Sequence, residues 1–227
     1  MCIVCIFHTC KLTKTATFSL NTTGFHQEAF EELSRHKDDP MYKDATLILD
    51  AMSIKSVIQF DPSKKQNFGF VDHGGLATSG DFDQMATDTL VCMIVGLKGH
   101  WKMPVGYFMT RSITAEVQAG MVREALIRSY EAGLKIRVCI MDGTAHNTST
   151  FKALGCDLLP DELHKMKVEF PHPHQSAQYN VYGMLDPPHM AKLCRNLLAE
   201  YWELDLPGRG TNCWPILWPG SSNVQSD

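Results

Sequence analysis

The sequence has no apolar run long enough to cross a bilayer: the longest, Leu90 to Leu97, falls far short of the roughly 20 residues a membrane helix needs. Its start, Met1 to Phe7, carries no basic flank of the kind that opens a signal peptide. A non-secreted protein with no membrane partner is the expectation. Basic charge is not in excess either. Lys and Arg number 21 against 25 Asp and Glu, a net charge of −4, which argues against a general basic coat for nucleic acid and makes any DNA contact a local one. Cysteine is too sparse for a disulfide scaffold, with eight scattered through 227 residues. Cys92 and Cys139 lie inside apolar runs, where a small buried thiol accounts for them, and a reducing compartment is expected. No internal repeat and no low-complexity block is present. What remains is the composition of a folded protein, 44% hydrophobic and 20% charged, in a chain long enough to bury a core.

Residues 1–40 read as an N-terminal extension: a Ser/Thr-rich stretch with Cys2, Cys5 and Cys10, then a short helical pattern from Phe25 to His36 with Phe25, Ala29, Phe30 and Leu33 on one face. After Pro40 the texture changes. Asp44 to Asp50 is a compact apolar run ending in a carboxylate, the pattern of a strand covered on both faces. Val57–Phe60 and Phe68–Val71 flank the turn-rich Asp61-Pro-Ser-Lys-Lys-Gln-Asn67, and Thr89–Leu97 and Met103–Thr110 flank Lys98-Gly-His-Trp-Lys102. Both pairs read as antiparallel hairpins. Ile113 to Ala132, with apolar residues at Ile113, Val117, Met121, Ala125 and Tyr130 and a stop at Gly133, predicts an amphipathic helix.

A second buried-type strand, Lys135 to Met141, runs into Asp142. Thr144 to Leu154 predicts a short helix stopped at Gly155, and Phe170-Pro-His-Pro-His174 reads as a linker. A third apolar run, Tyr179 to Leu185, again ends in a carboxylate, Asp186, and Pro188 to Glu203 reads as a helix with proline in its first turn. Beyond Leu206 the pattern decays, and 207–227 reads as an unrelated or disordered tail.

Chemistry concentrates at those strand ends. In a mostly parallel α/β sheet ligands bind beyond the carboxyl ends of the strands, so Asp50 and Asp142 can converge there. Two converging carboxylates call for a hard divalent cation, Mg²⁺ or Mn²⁺; the bland alternative is that each Asp caps a turn. Asp142-Gly-Thr-Ala-His-Asn147 puts glycine after the acid and small residues at a helix start, which lets a phosphate or metal approach the backbone. His189, Lys192, Arg195 and Asn196 follow Asp186-Pro-Pro at near-helical spacing, either an anion-facing row or a solvated basic face. Cys2, Cys5, His8 and Cys10 are too cramped to favour zinc. His172 and His174, alternating with prolines, read as solvated. Trp101 could stack on a base, although anchoring a hairpin is the commoner use of such a residue.

Leu49-Asp50-Ala-Met-Ser-Ile-Lys55, Gly69-Phe-Val-Asp72, Trp101-Lys-Met-Pro-Val-Gly-Tyr-Phe108, Gly133 through Asp142-Gly-Thr-Ala-His-Asn147, Leu154-Gly-Cys156 and Asp186-Pro-Pro-His-Met-Ala-Lys-Leu-Cys-Arg-Asn196, in that order, resemble the P-element and THAP-domain transposases. The resemblance spans residues 41–204. It implies an α/β fold, a ribonuclease-H-like mixed sheet with helices on both faces and incomplete at its C-terminus, with the transposase core at 41–185. It further implies that Asp50 and Asp142 are the first two acids of a catalytic, metal-binding triad holding Mg²⁺ or Mn²⁺. Residues 186–206 would then begin a guanine-nucleotide-binding insertion, with His189, Lys192 and Asn196 toward GTP. Relatives of this kind cut and join DNA at transposon ends, in the nucleus.

The chain departs from the pattern in three places: no zinc-binding recognition domain matches 1–40, most of the insertion is absent, and the sequence stops before the third acid. The expectation is therefore a piece of a DNA-cutting enzyme without activity of its own. With its last covering helix missing, it should also leave part of one sheet face open, favouring self-association or pairing with a full-length transposase. Two other readings stay in play: a domesticated DNA-binding or regulatory module, and an unrelated Mg²⁺-dependent phosphatase or nuclease in which Asp186 completes the site.

Overall fold

The computed structural model describes residues 22–62, 65–75, 83–201, 203–206 and 210–213. The cysteine-rich start, with Cys2, Cys5, His8 and Cys10, lies outside them, as do most of 207–227. The chain divides into two units, one up to Asp186 and a second from Pro187.

In the first unit β1 (Gly24–Phe25) and α1 (Gln27–Arg35) precede a single-turn α2 (Pro40–Lys43) and the long strand β2 (Asp44–Ser53). A small two-stranded sheet follows, β3 (Gln59–Asp61) with β4 (Gln66–Phe68), then the hairpin β5 (Asp88–Gly96) and β6 (Lys102–Thr110). Helix α3 (Ala115–Glu131), β7 (Lys135–Met141), α4 (Ala145–Leu154), β8 (Glu169–Pro171) and β9 (Asn180–Leu185) complete it. Seven strands make one mixed sheet in the order β1-β6-β5-β2-β7-β9-β8. Pairings from β1 to β2 are antiparallel, β2–β7 and β7–β9 are parallel, and β8 closes the edge antiparallel. The three parallel strands therefore end on the same side of the sheet, the side that binds ligands in α/β folds.

Alternation along the strands separates two faces. Leu47 and Leu49, Cys92 and Ile94, Val105 and Phe108, Cys139 and Met141 point into the main core. There they meet Ala29, Phe30 and Leu33 of α1, Met121, Val122 and Leu126 of α3, and Phe151 and Leu154 of α4. The thiols of Cys92 and Cys139 are fully enclosed, and burial pushes that of Cys92 up to about 12, as expected of structural cysteines. The opposite face holds a smaller cluster of Val91 and Met93 with Val95 and Tyr107. Beside it Ile48 is half-buried, while Tyr182 and Met184 are 50% and 39% exposed.

Local signals set the helix ends. Thr114 caps α3 by accepting from the Val117 amide, and Thr144 caps α4 by accepting from the Asn147 amide. Gly155 ends α4 in the left-handed conformation, φ 109°, a geometry that favours glycine. Trp101 anchors the β5–β6 turn: its Nε1 donates to the Met41 carbonyl at 3.1 Å and its ring stacks on Tyr42 at 4.7 Å.

Three expectations are corrected. Gly24–Arg35 is not an extension, because β1 pairs with β6 and three apolar residues of α1 are buried in the main core. His172 is not solvated: it is 7% exposed, with its ring 5.0 Å from Tyr179 and 5.4 Å from Tyr130. The linker around it includes β8, whose Pro171 is tolerated because β8 is an edge strand. In the second unit, α5 (Pro187–Tyr201) is followed by β10 (Glu203–Leu206) paired antiparallel with β11 (Gly210–Cys213), so the four described residues of 207–227 form a strand. Among the described residues no helix is long and apolar enough to cross a membrane.

Candidate functional site

The β2–β7 register sets Ile48 opposite Ile140, so Asp50, two residues further along β2, stands beside Asp142, which directly follows β7. On the other side of β7, Met141 pairs with Leu185 and the Asp186 amide donates to the Met141 carbonyl at 2.8 Å. Three consecutive sheet neighbours thus bring carboxylates to one side, Asp50 within β2 and Asp142 and Asp186 directly after β7 and β9. Asp50 registers the crowding: burial first, then the negative charge of Asp142 and, lower in rank, that of Asp186 push its carboxyl above the usual range. The backbone amide of Ala51 pulls the other way.

Asp142 is held firmly. Its Oδ1 accepts from the Thr144 amide at 3.1 Å, from Thr144 Oγ1 at 2.8 Å and from Asn147 Nδ2 at 2.5 Å. Asn147 is held in turn by Gln118 of α3, whose Nε2 donates to Asn147 Oδ1 at 2.6 Å. His146 Nε2 lies 3.0 Å from Gln118 Oε1. Sequence reasoning assigned no role to Asn147 and overlooked Gln118. The readable signal was a glutamine three residues before Met121 and seven before Ala125, on the face of α3 that enters the core.

The donor set suits a hard cation, since burial and the charge of Asp142 oppose ionisation of Asp50, a cost that a divalent ion beside the two oxygen ligands relieves. It is a partial set. Among the described residues no group of three or more His, Cys, Asp or Glu side chains has the spacing to enclose a metal. His189, Lys192 and Asn196 lie on α5 in the second unit; Lys192 and Asn196 are exposed, His189 is half-buried, and Arg195 Nη2 donates to Asn196 Oδ1 at 3.1 Å.

Comparisons with known proteins agree with this architecture. Residues 21–155 match the family described as TNP-like, RNase H N-terminal domain. The chain is 32% identical over 180 residues to the human protein named DNA transposase THAP9, an alignment that takes in 78% of this chain and 20% of the relative. Its fold resembles a chain of the Drosophila P element transposase strand transfer complex with a TM-score of 0.63 at 19% identity, covering 83% of this chain and 36% of that one. The chain thus spans about a fifth of the length of the curated relative it matches.

Proposed function

Given that the chain belongs to the family of TNP-like RNase H N-terminal domains, we propose that the edge carrying Asp50 and Asp142 is the first part of a polynucleotidyl-transferase centre acting on DNA. One observation carries the reading: the two acids stand side by side at one end of the parallel pair β2–β7, with Asp142 held in a hydrogen-bond frame of Thr144 and Asn147. Support from outside the chain is coarser, resting on relatives named for DNA transposition and strand transfer.

In this reading Asp50 and Asp142 hold Mg²⁺ or Mn²⁺. Bound there, such an ion neutralises charge at a phosphodiester and activates the attacking oxygen. The protein's own part is to set the acids side by side, to fix the rotation of Asp142 through Thr144 and Asn147, and to keep Asp50 half-withdrawn from water. The α5 row of His189, Lys192 and Asn196 is the proposed contact for the phosphates of GTP.

Mn²⁺ titration followed by electron paramagnetic resonance tests the centre. The wild-type chain should bind weakly, and Asp50→Asn and Asp142→Asn should each lower the affinity at least about tenfold. Unchanged binding in both variants would remove the site. Oligonucleotide substrates should stay uncut, because two acids hold the metal too loosely for hydrolysis. Mg²⁺-dependent cleavage abolished by both Asp142→Asn and Asp186→Asn would overturn that and make Asp186 the third ligand.

A further inference from the structure

Gln118 is the anomaly of α3. It is 3% exposed, on a face shared with Ala119, Met121, Val122, Ala125, Leu126 and a Ser129 that bonds only within its own helix, to the Ala125 carbonyl. A buried primary amide is costly unless both its ends are satisfied. Here its hydrogen-bonding capacity goes to the few residues that frame one acid: Nε2 donates to Asn147 Oδ1 at 2.6 Å and approaches Met141 Sδ at 3.3 Å, and Oε1 meets His146 Nε2 at 3.0 Å.

From this arrangement we propose that Gln118 is a positioning residue for Asp142, acting through the side-chain amide of Asn147; the inference rests on the carboxylate centre proposed above. The argument is one of direction. Asn147 can present either its oxygen or its NH₂ to Asp142, and the oxygen would repel the carboxylate. Because Gln118 Nε2 is a donor, it takes the Asn147 oxygen and leaves Nδ2 to donate to Asp142 Oδ1. The chain runs His146 to Gln118 to Asn147 to Asp142, each link donating to the next. With Thr144 supplying two further donors to the same oxygen, the carboxylate cannot rotate without giving up three hydrogen bonds. Thr144 is a local cap of a kind found at many helix starts. Gln118 reaches in from another helix, and it selects one of the two orientations of Asn147.

Two measurements test this. In the metal-free wild-type chain, the Asn147 side-chain amide should show slowed hydrogen exchange in ¹⁵N-detected spectra; exchange as fast as that of a solvated amide would overturn the proposal. Gln118→Met keeps the length and unbranched shape while removing both polar ends, and Gln118→Leu replaces it should the methionine variant not fold. Either should free the Asn147 amide and weaken Mn²⁺ binding about tenfold, the usual size for loss of a residue supporting a metal ligand. Ser129→Ala, which deletes another buried hydrogen bond of α3, to the Ala125 carbonyl, should leave Mn²⁺ affinity unchanged. Adding Gln118→Met to Asn147→Ala should weaken binding no further. Wild-type affinity in a folded Gln118 variant, or additive losses in the double variant, would refute the positioning role while leaving the carboxylate centre intact. Mn²⁺ binding insensitive to both Asp50→Asn and Asp142→Asn would remove the centre and this inference with it.

Discussion

Asp44 opens β2 and Asp50 lies near its far end, and the two carboxylates meet opposite surroundings. Asp44 faces two cations, with Arg137 Nε at 2.8 Å and Lys98 Nζ at 3.2 Å, and hydrogen bonding from Arg137 holds its carboxyl below the usual range. The guanidinium also lies 5.4 Å from the centre of the Tyr179 ring. Among the described residues no cation plays that part for Asp50. Its main influences are burial and the carboxylates of Asp142 and Asp186, and its carboxyl is pushed up. Six positions along one strand separate an acid whose charge is neutralised by the fold from an acid whose charge is left standing. The first needs no ligand to explain it. The second is a cost that folding alone does not repay, and unrepaid charge of this kind gathers at functional sites.

The most forceful way to break this contrast is to ask both acids the same question about metal. If Asp50 is a ligand and Asp44 is structural, Asp50→Asn lowers Mn²⁺ affinity at least about tenfold, whereas Asp44→Asn leaves it unchanged. Equal losses would mean that the binding measured is diffuse attraction to an acidic chain. Equal retention would mean that the unneutralised edge serves something other than a cation.

The contrast was only half legible in the sequence. That Asp50 and Asp142 end buried-type strands could be read from two apolar runs, because a strand covered on both faces leaves a nearly unbroken hydrophobic signature. That they become neighbours depended on the parallel pairing of β2 with β7, which no local pattern encodes. The partners of Asp44 escaped for the same reason: Arg137 comes from β7 and Lys98 from the β5–β6 turn. Helix α3 announced itself through periodicity and the glycine that stops it, and α4 through its terminal glycine. The two-residue β1 could not, because what fixes it is tertiary: Gly24 adopts φ 102° where an added Cβ would come within 2.8 Å of Gly74. Edge strand β8 was hidden by its proline. Gln118 was hidden by its context, since a polar residue on a mostly apolar helix face is easily discounted until its partners are seen.

Stability of the metal-free chain at neutral pH separates the two acids by sign. Removing an unneutralised charge relieves repulsion, so Asp50→Asn should stabilise the fold by about 0.5–2 kcal/mol, as relief of a functional site commonly does. Asp44→Asn should destabilise it by less, about 0.2–1 kcal/mol, because Lys98 is 58% exposed and the pair is screened by water and salt. Urea unfolding midpoints at constant slope measure both. A destabilising Asp50→Asn would place that residue with Asp44 as a structural acid.

The smallest effect, and the one that resolves the two acids within a single protein, is the order in which their contributions change on acidification. Both carboxyls start from the same ordinary value, 3.8. Asp50 has a raised folded pKa, so its folded form binds a proton more readily than the unfolded chain does. The stability it withholds at neutral pH is regained as pH falls through that raised value, and is fully present below 3.8. Asp44 has a lowered folded pKa, so its contribution is fully present above 3.8 and is lost only as pH falls further, through the depressed value. Acidification from neutrality should therefore erase the gap between wild type and Asp50→Asn first, while the gap between wild type and Asp44→Asn persists to more acid conditions. Urea melts of the three chains at stepped pH read this directly. Simultaneous loss of both gaps would show that the charges at the two ends of β2 are not held apart by their surroundings, and would remove the electrostatic case for treating one end as a site.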